Sequence, residues 1–141
     1  MRLWRIEVMI GILVVCHSAK AAKGIAEIAS QMAGEKVKVV GVGGNEEGGI
    51  GTSTADIYAV LSELLNECES IVVIPDLGSA VLSTKAALEF LTDEQKSKVI
   101  IADAPVLEGA MMAAVEASTG SPKEKVMQVA ESAHLLKKLV N

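Results

Sequence analysis

Four short apolar runs, each rich in β-branched residues, set the strongest limit on what this chain can fold into. They span residues 10–15, 37–42, 71–74 and 99–102. Each is nearly continuous in hydrophobicity, the pattern of strands covered on both faces, as in a parallel sheet. Parallel neighbours need crossover connections, and the stretches between the runs have helical length and period. Ala22, Ile25, Ala26, Ala29 and Met32 share one stripe, and Ile57, Val60, Leu61, Leu64 and Leu65 share another. A third, less regular stripe holds Val81, Leu82, Ala86, Leu88 and Leu91. Two more helical segments, 107–117 and 122–139, follow the last run, with Ser121 as cap and Pro122 as first residue of the second. Alternating strands and helices predict an α/β, doubly wound three-layer sandwich with a mainly parallel four-stranded sheet. Right-handed crossovers favour the strand order 2-1-3-4, with room for one extra edge strand. In that order a crevice opens between the carboxyl ends of strands one and three, where open α/β sheets bind ligands.

With 141 residues, 50% of them hydrophobic, the chain suits one domain with one core. Only 2% is aromatic, so Ala, Val, Ile, Leu and Met must fill that core. Thirteen basic against 18 acidic side chains leave a net charge of −5, which argues against nucleic-acid binding. No apolar stretch reaches the roughly 18 residues of a membrane span. Two cysteines without a CxxC or Cys/His cluster predict neither a disulfide framework nor a metal site, and suit reducing cytoplasm. Residues 1–8 carry Arg2 and Arg5 and read as an N-terminal extension or misassigned start, with the domain running over 9–141.

The chemistry concentrates where the first and third strands end. His17 and Ser18 follow the first; Asp76, Leu77, Gly78 and Ser79 follow the third. A carboxylate beside an imidazole accepts one ring N–H and leaves the other nitrogen a free lone pair. Such a histidine serves as base, metal ligand or nucleophile toward phosphorus, and equally as a structural hydrogen-bonding group. After the second strand comes a loop with five glycines, Gly43, Gly44, Gly48, Gly49 and Gly51, followed by Thr52 and Ser53. Its main-chain N–H groups and the helix it opens suit an anion, and Thr52 or Ser53 can cap that helix. It is no nucleotide-binding P-loop, because Ile50 and Gly51 stand where lysine and Ser/Thr belong. Gly78 and Ser79 open another helix at the crevice. Lys20 and Lys23 read as solvated, Cys16 and Cys68 as buried, and His134 as a solvated residue near a helix end. Asp103 reads as a turn residue on the far rim, Glu108 as a helix-start acid, and Met111 and Met112 as core or subunit-contact surface.

Four segments in order carry a resemblance: residues 11–18, 49–53, 76–80 and 104–109. Together they resemble the phosphotransferase subunits (DhaM) of phosphoenolpyruvate-dependent dihydroxyacetone kinases, related to the mannose-type enzyme IIA of the sugar phosphotransferase system. The likeness runs from about Met9 to the end. It implies that His17 takes a phosphoryl group from phospho-HPr and that Asp76 orients it. It implies phosphoryl-binding roles for Ser18, Gly51, Thr52, Ser53, Gly78 and Ser79. The group would pass to ADP on a nucleotide-binding DhaL-type subunit, serving a DhaK-type subunit that holds dihydroxyacetone. No cofactor or metal is implied in this subunit, and a homodimer is. The alternatives are a mannose-type enzyme IIA for sugar uptake, a regulatory phospho-relay module and a small-molecule binding protein.

Overall fold

The computed structural model describes residues 9–140; the stretch 1–8, read above as an extension or misassigned start, lies outside them. Strands β1 (Ile10–Cys16), β2 (Val37–Gly43), β3 (Ser70–Pro75) and β4 (Val99–Ile101) form one sheet in the order β2-β1-β3-β4. All three pairings are parallel. The doubly wound α/β fold with order 2-1-3-4 is therefore the one present. Among the described residues no extra edge strand joins it.

Alternation along β1 explains the two cores. Ile10, Ile12, Val14 and Cys16 face one side; Leu13 and Val15 face the other. Helices α1 (Ala19–Ala33), α5 (Val106–Ser118) and α6 (Lys123–Glu131) cover the first face. Helices α2 (Thr54–Glu67) and α3 (Gly78–Leu88) cover the second, and a one-turn α4 (Asp93–Lys96) leads into β4. Small side chains let the layers approach closely. Ala22, Ala26 and Ala29 are buried on α1, and Ala110, Ala113, Ala114 and Ala117 on α5. The limit is reached at Gly41 in β2, where a Cβ would lie 2.3 Å from the Ala22 carbonyl oxygen. This is how a chain with almost no aromatic residues fills its interior.

Two expected elements are corrected. Of the expected stripe, Leu88 packs against the core and Leu91 is buried, but Leu82 and Ala86 do not face inward on α3. Ala80, Thr84 and Ala87 face the sheet instead, and Leu82 is 68% exposed. Close contact with the sheet selects alanines, and the larger leucine is left outside. The last helix also stops early. α6 ends at Glu131, continues as a 3-10 turn (Ser132–Leu135), and leaves Leu139 and Val140 exposed. Beyond Ala133, among the described residues, no apolar face remains buried, and a helix without tertiary packing is marginal. Pro122, not Ser121, takes the cap position there, and Ser121 instead donates its hydroxyl hydrogen to Glu116 Oε2.

Candidate functional site

The parallel pairing of β1 with β3 sets Val15 opposite Pro75. The two strands therefore deliver His17 and Asp76 to the same edge of the sheet. The Asp76 N–H continues the ladder by donating to the Val15 carbonyl at 2.9 Å. Its carboxylate then turns back on His17 twice. Oδ2 accepts the His17 main-chain N–H at 3.0 Å, and Oδ1 lies 2.9 Å from Nδ1. One carboxylate thus holds both the backbone and the ring. Facing an acceptor-only group, Nδ1 carries the proton and Nε2 keeps its lone pair. That lone pair meets the Ser79 hydroxyl, with Oγ 2.5 Å from Nε2. The two side chains are 21% and 19% exposed, so the pair is fixed yet reachable from solvent.

Three helices begin around this pair, and they are finished differently. Ser18 caps α1 by accepting from the Ala21 N–H at 3.2 Å, and buried Ser53 caps α2 by accepting from Asp56 N–H at 3.2 Å. Leu77 occupies the cap position of α3 and offers no side-chain acceptor. The first N–H groups of α3 therefore lack a capping side chain, on the helix that sends Ser79 to His17.

The glycine loop closes over the other side. Gly43 lies so near the end of β1 that a Cβ would sit 2.5 Å from the Cys16 carbonyl oxygen. The Gly51 N–H donates to the His17 carbonyl at 2.8 Å. Thr52 Oγ1 and Ser83 Oγ lie 2.6 Å apart and tie the loop to α3. His17, Asp76, Ser79 and Gly51 thus form one bonded set, with Thr52 beside it; Ser18 and Ser53 spend their hydroxyls on their own helices. Two participants escape a reading of the sequence. Ser83 carries a signal, four residues after Ser79 on the same helix face. Asn45, the hub of the loop, carries a weaker one, since Asn within a glycine-rich segment is an ordinary turn residue.

The remaining candidates lie around or beneath the pair. Cys16 is buried, and burial, with the Asp76 carboxylate adding to it, pushes its thiol up to about 11. Cys68 is buried at the end of α2, and its thiol is likewise raised, chiefly by burial. Lys20 and Lys23 are exposed. Beside Asp76 a hollow of about 530 Å3 opens toward Leu77, Val81, Lys85 and exposed Asp103. His134 bonds the Asp103 carbonyl at 2.9 Å. Glu108, in the first turn of α5, is held below the usual carboxylate range by its own main-chain N–H and by Lys138. Met111 and Met112 line a shallow groove with Met32. Among the described residues no group of three or more His, Cys, Asp or Glu is placed to hold a metal ion, and no helix is long and apolar enough to cross a membrane.

Comparison with known proteins fits this geometry. The chain is 37% identical over 79 residues to the phosphoryl donor subunit DhaM of PEP-dependent dihydroxyacetone kinase 2 from Listeria innocua; that stretch is 56% of this chain and 62% of the relative. It is 34% identical over 70 residues to the phosphotransferase subunit DhaM of the PTS-dependent dihydroxyacetone kinase from Lactococcus lactis, covering 50% of this chain and 54% of that one. In both, the match spans less than two thirds of the relative's length. The crystal structure of the unknown-function protein EF1359 superposes with a TM-score of 0.77 at 30% identity, covering 88% of this chain and 94% of that one. The sequence pattern of the EIIA-man domain, described as the PTS system fructose IIA component, matches residues 11–127. A match from β1 into α6 encloses both His17 and Asp76, and the chain belongs to the EIIA-man family.

Proposed function

We propose that this chain, as one domain over 9–141, is the phosphoryl-carrier subunit of a phosphoenolpyruvate-dependent dihydroxyacetone kinase, with His17 as the residue phosphorylated. The carrying observation is the ring held by Asp76 at Nδ1 with its Nε2 lone pair directed outward at Ser79. The donor is phospho-HPr, itself a phosphohistidine. His17 Nε2 attacks its phosphorus, the donor's P–N bond breaks with the electron pair returning to the donor imidazole, and a new Nε2–P bond forms. The Nδ1 proton stays in place. The ring then carries positive charge, which the Asp76 carboxylate balances at hydrogen-bond distance. Ser79 first rotates off Nε2, and its hydroxyl, with the N–H groups of Gly78 and Ser79, then faces the phosphoryl oxygens. Gly51 and Thr52 bound the same space from the loop, while Ser18 and Ser53 contribute by setting the helix starts.

Little covalent machinery is required; positioning and access do the rest. Exposed Leu77 and half-buried Val81 offer an apolar landing for partners on one side of His17. The onward acceptor is ADP on a DhaL-type subunit, which feeds a DhaK-type subunit; Mg2+ travels with the ADP. The setting is cytoplasmic and the subunit a homodimer. Names of relatives as DhaM from two organisms support the kinase reading. The family's description as a fructose IIA component favours a second one, a carrier for sugar uptake. The test is phosphorylation of the purified chain by phosphoenolpyruvate, enzyme I and HPr, with His17→Ala as control. Label must reach the wild type alone and pass to ADP only when the nucleotide-binding subunit is added. Label on His17→Ala refutes the carrier role of His17, and labelled wild type that ignores ADP selects the sugar-uptake reading.

A further inference from the structure

The loop between β2 and α2 is built around a single side chain. Asn45 Oδ1 accepts two main-chain N–H groups, from Glu47 at 3.0 Å and from Gly49 at 2.8 Å. Its Nδ2 donates to the Ile50 carbonyl at 3.3 Å. Its own main chain closes the same turn, donating to Gly49 O at 2.9 Å and accepting from Gly48 N–H at 3.0 Å. The amide orientation is forced, because only an oxygen can receive two N–H donors. The flanking glycines are shaped to this side chain. A Cβ at Gly49 would sit 3.2 Å from Asn45 Nδ2, and one at Gly51 would sit 3.2 Å from Asn45 Cβ. Gly44, Gly48 and Gly51 all have positive φ. A loop so rich in glycine has much backbone entropy to lose on ordering. Asn45 is exposed to solvent, so burial does not explain its place.

The far end of this turn reaches the candidate site. Gly51 follows Ile50, the residue bonded by Nδ2, and its N–H donates to the His17 carbonyl at 2.8 Å. Thr52 follows and meets Ser83. Both main-chain polar groups of His17 are thereby held, its N–H by Asp76 and its carbonyl by Gly51. We propose that Asn45 is a positioning residue for phosphoryl transfer: it locks the glycine loop so that Gly51 holds the His17 carbonyl while Asp76 holds its N–H. The inference rests on the carrier reading of His17. Asn45 touches neither His17 nor the incoming group; it acts through Gly51. Without it the glycines sample open conformations, the Gly51 clamp is intermittent, and the ring loses its fixed line of attack. Misplacement of a reacting group by about 1 Å costs on the order of a hundredfold in rate.

The experiment uses the whole chain and phosphoramidate, a small phosphoryl donor that needs no partner protein. Its P–N bond breaks with loss of ammonia as the bond to His17 Nε2 forms. Wild type, Asn45→Ala and Asn45→Asp are compared for the rate of phosphohistidine formation, and amide hydrogen exchange is followed at Gly51 and in β1. Asn45→Ala is expected to lose protection at Gly51 while β1 stays protected, and to react about 10–100-fold more slowly. Asn45→Asp keeps the acceptor for Glu47 and Gly49 but sets a carboxylate oxygen against the Ile50 carbonyl; it is expected to fall between the two. Retained β1 protection separates positioning from unfolding. Asn45→Ala reacting at the wild-type rate overturns the inference, with or without loss of Gly51 protection. So does Asn45→Asp no better than Asn45→Ala. Wild type that forms no phosphohistidine with either phosphoramidate or phospho-HPr is a different failure: it removes the carrier reading itself, and this inference with it.

Discussion

Replacing Asp76 by Asn changes almost no volume and removes one acceptor where two are needed. In the native site Oδ2 takes the His17 main-chain N–H and Oδ1 takes Nδ1–H. An amide has one oxygen and one NH2 group. If its oxygen stays on the main-chain N–H, the NH2 group faces Nδ1. Nδ1 must then accept, and the ring proton moves to Nε2, consuming the nucleophilic lone pair. If the amide turns the other way, the tautomer survives but a half-buried main-chain N–H faces another donor, a loss of about 1–3 kcal/mol. Either orientation also removes the negative charge that, in the proposed mechanism, balances the phosphorylated ring. A charge-assisted hydrogen bond of this kind is worth about 1.5–3 kcal/mol, or roughly 10–150-fold in rate. Adding the wrong tautomer brings the expected loss to about 10²–10⁴-fold; the Asp→Asn change in a serine protease triad, at the upper end of that range, acts by the same tautomer shift. Quenched-flow measurement of phosphohistidine formation gives the rate, and 15N spectra of the His17 ring give the proton's position. A variant that carries the proton on Nε2 and still reacts at the wild-type rate refutes the reasoning.

Other perturbations separate packing from chemistry. Ser79→Ala removes one of the donors proposed for the phosphoryl oxygens and is expected to slow transfer roughly tenfold, the value of one hydrogen bond to a charged group, with no change in melting temperature. Ser53→Ala removes the α2 cap and is expected to cost about 1 kcal/mol in urea unfolding while transfer is nearly unchanged. Gly41→Ala drives a Cβ into the Ala22 carbonyl and is expected to cost about 1–3 kcal/mol in the same assay; an unchanged midpoint would show that α1 yields freely. Burial raises Cys16 from 9.0 to about 11, so the folded chain keeps a proton that the unfolded chain releases. Stability is therefore complete below pH 9 and falls as pH rises toward 11, by up to about 3 kcal/mol for this thiol. Urea midpoints compared between wild type and Cys16→Ala across that window should converge as pH rises, and parallel curves would count against a buried neutral thiol.

What was legible in the sequence follows from how far apart the deciding residues lie. His17 and Asp76 could be read because each lies two residues beyond the end of an apolar run, and strand order alone then makes them neighbours. Ser79 could be read because a helix start at a strand end points at the crevice. The division of labour between Thr52 and Ser53 could not, since either hydroxyl satisfies a cap. The loop path decides it, burying Ser53 on α2 and sending Thr52 to Ser83. Asn45 stayed hidden for the same reason, because its role depends on where Gly51 ends up.

On α3, apolar periodicity and the buried face diverge. Periodicity asks only which face is apolar, and Leu82 and Ala86 fit that face without being buried. The sheet asked how near the helix could come, and Ala80 and Ala87 answered that. A large leucine left outside a helix that already buries its alanines is not needed for the core. Leu82 lies one helical turn from Ser79, and exposed Leu77 and Ile50 directly precede Gly78 and Gly51. Three exposed aliphatic side chains thus stand beside, or one turn from, residues of the His17 site. Under the proposed carrier role such side chains supply a docking rim, because each partner must exclude water from the transfer and then leave. Leu82→Ser should therefore leave the melting temperature unchanged and raise the KM for phospho-HPr, with reaction toward phosphoramidate unaltered. A change in the phosphoramidate rate would place Leu82 in the internal order of the site and not on its docking rim.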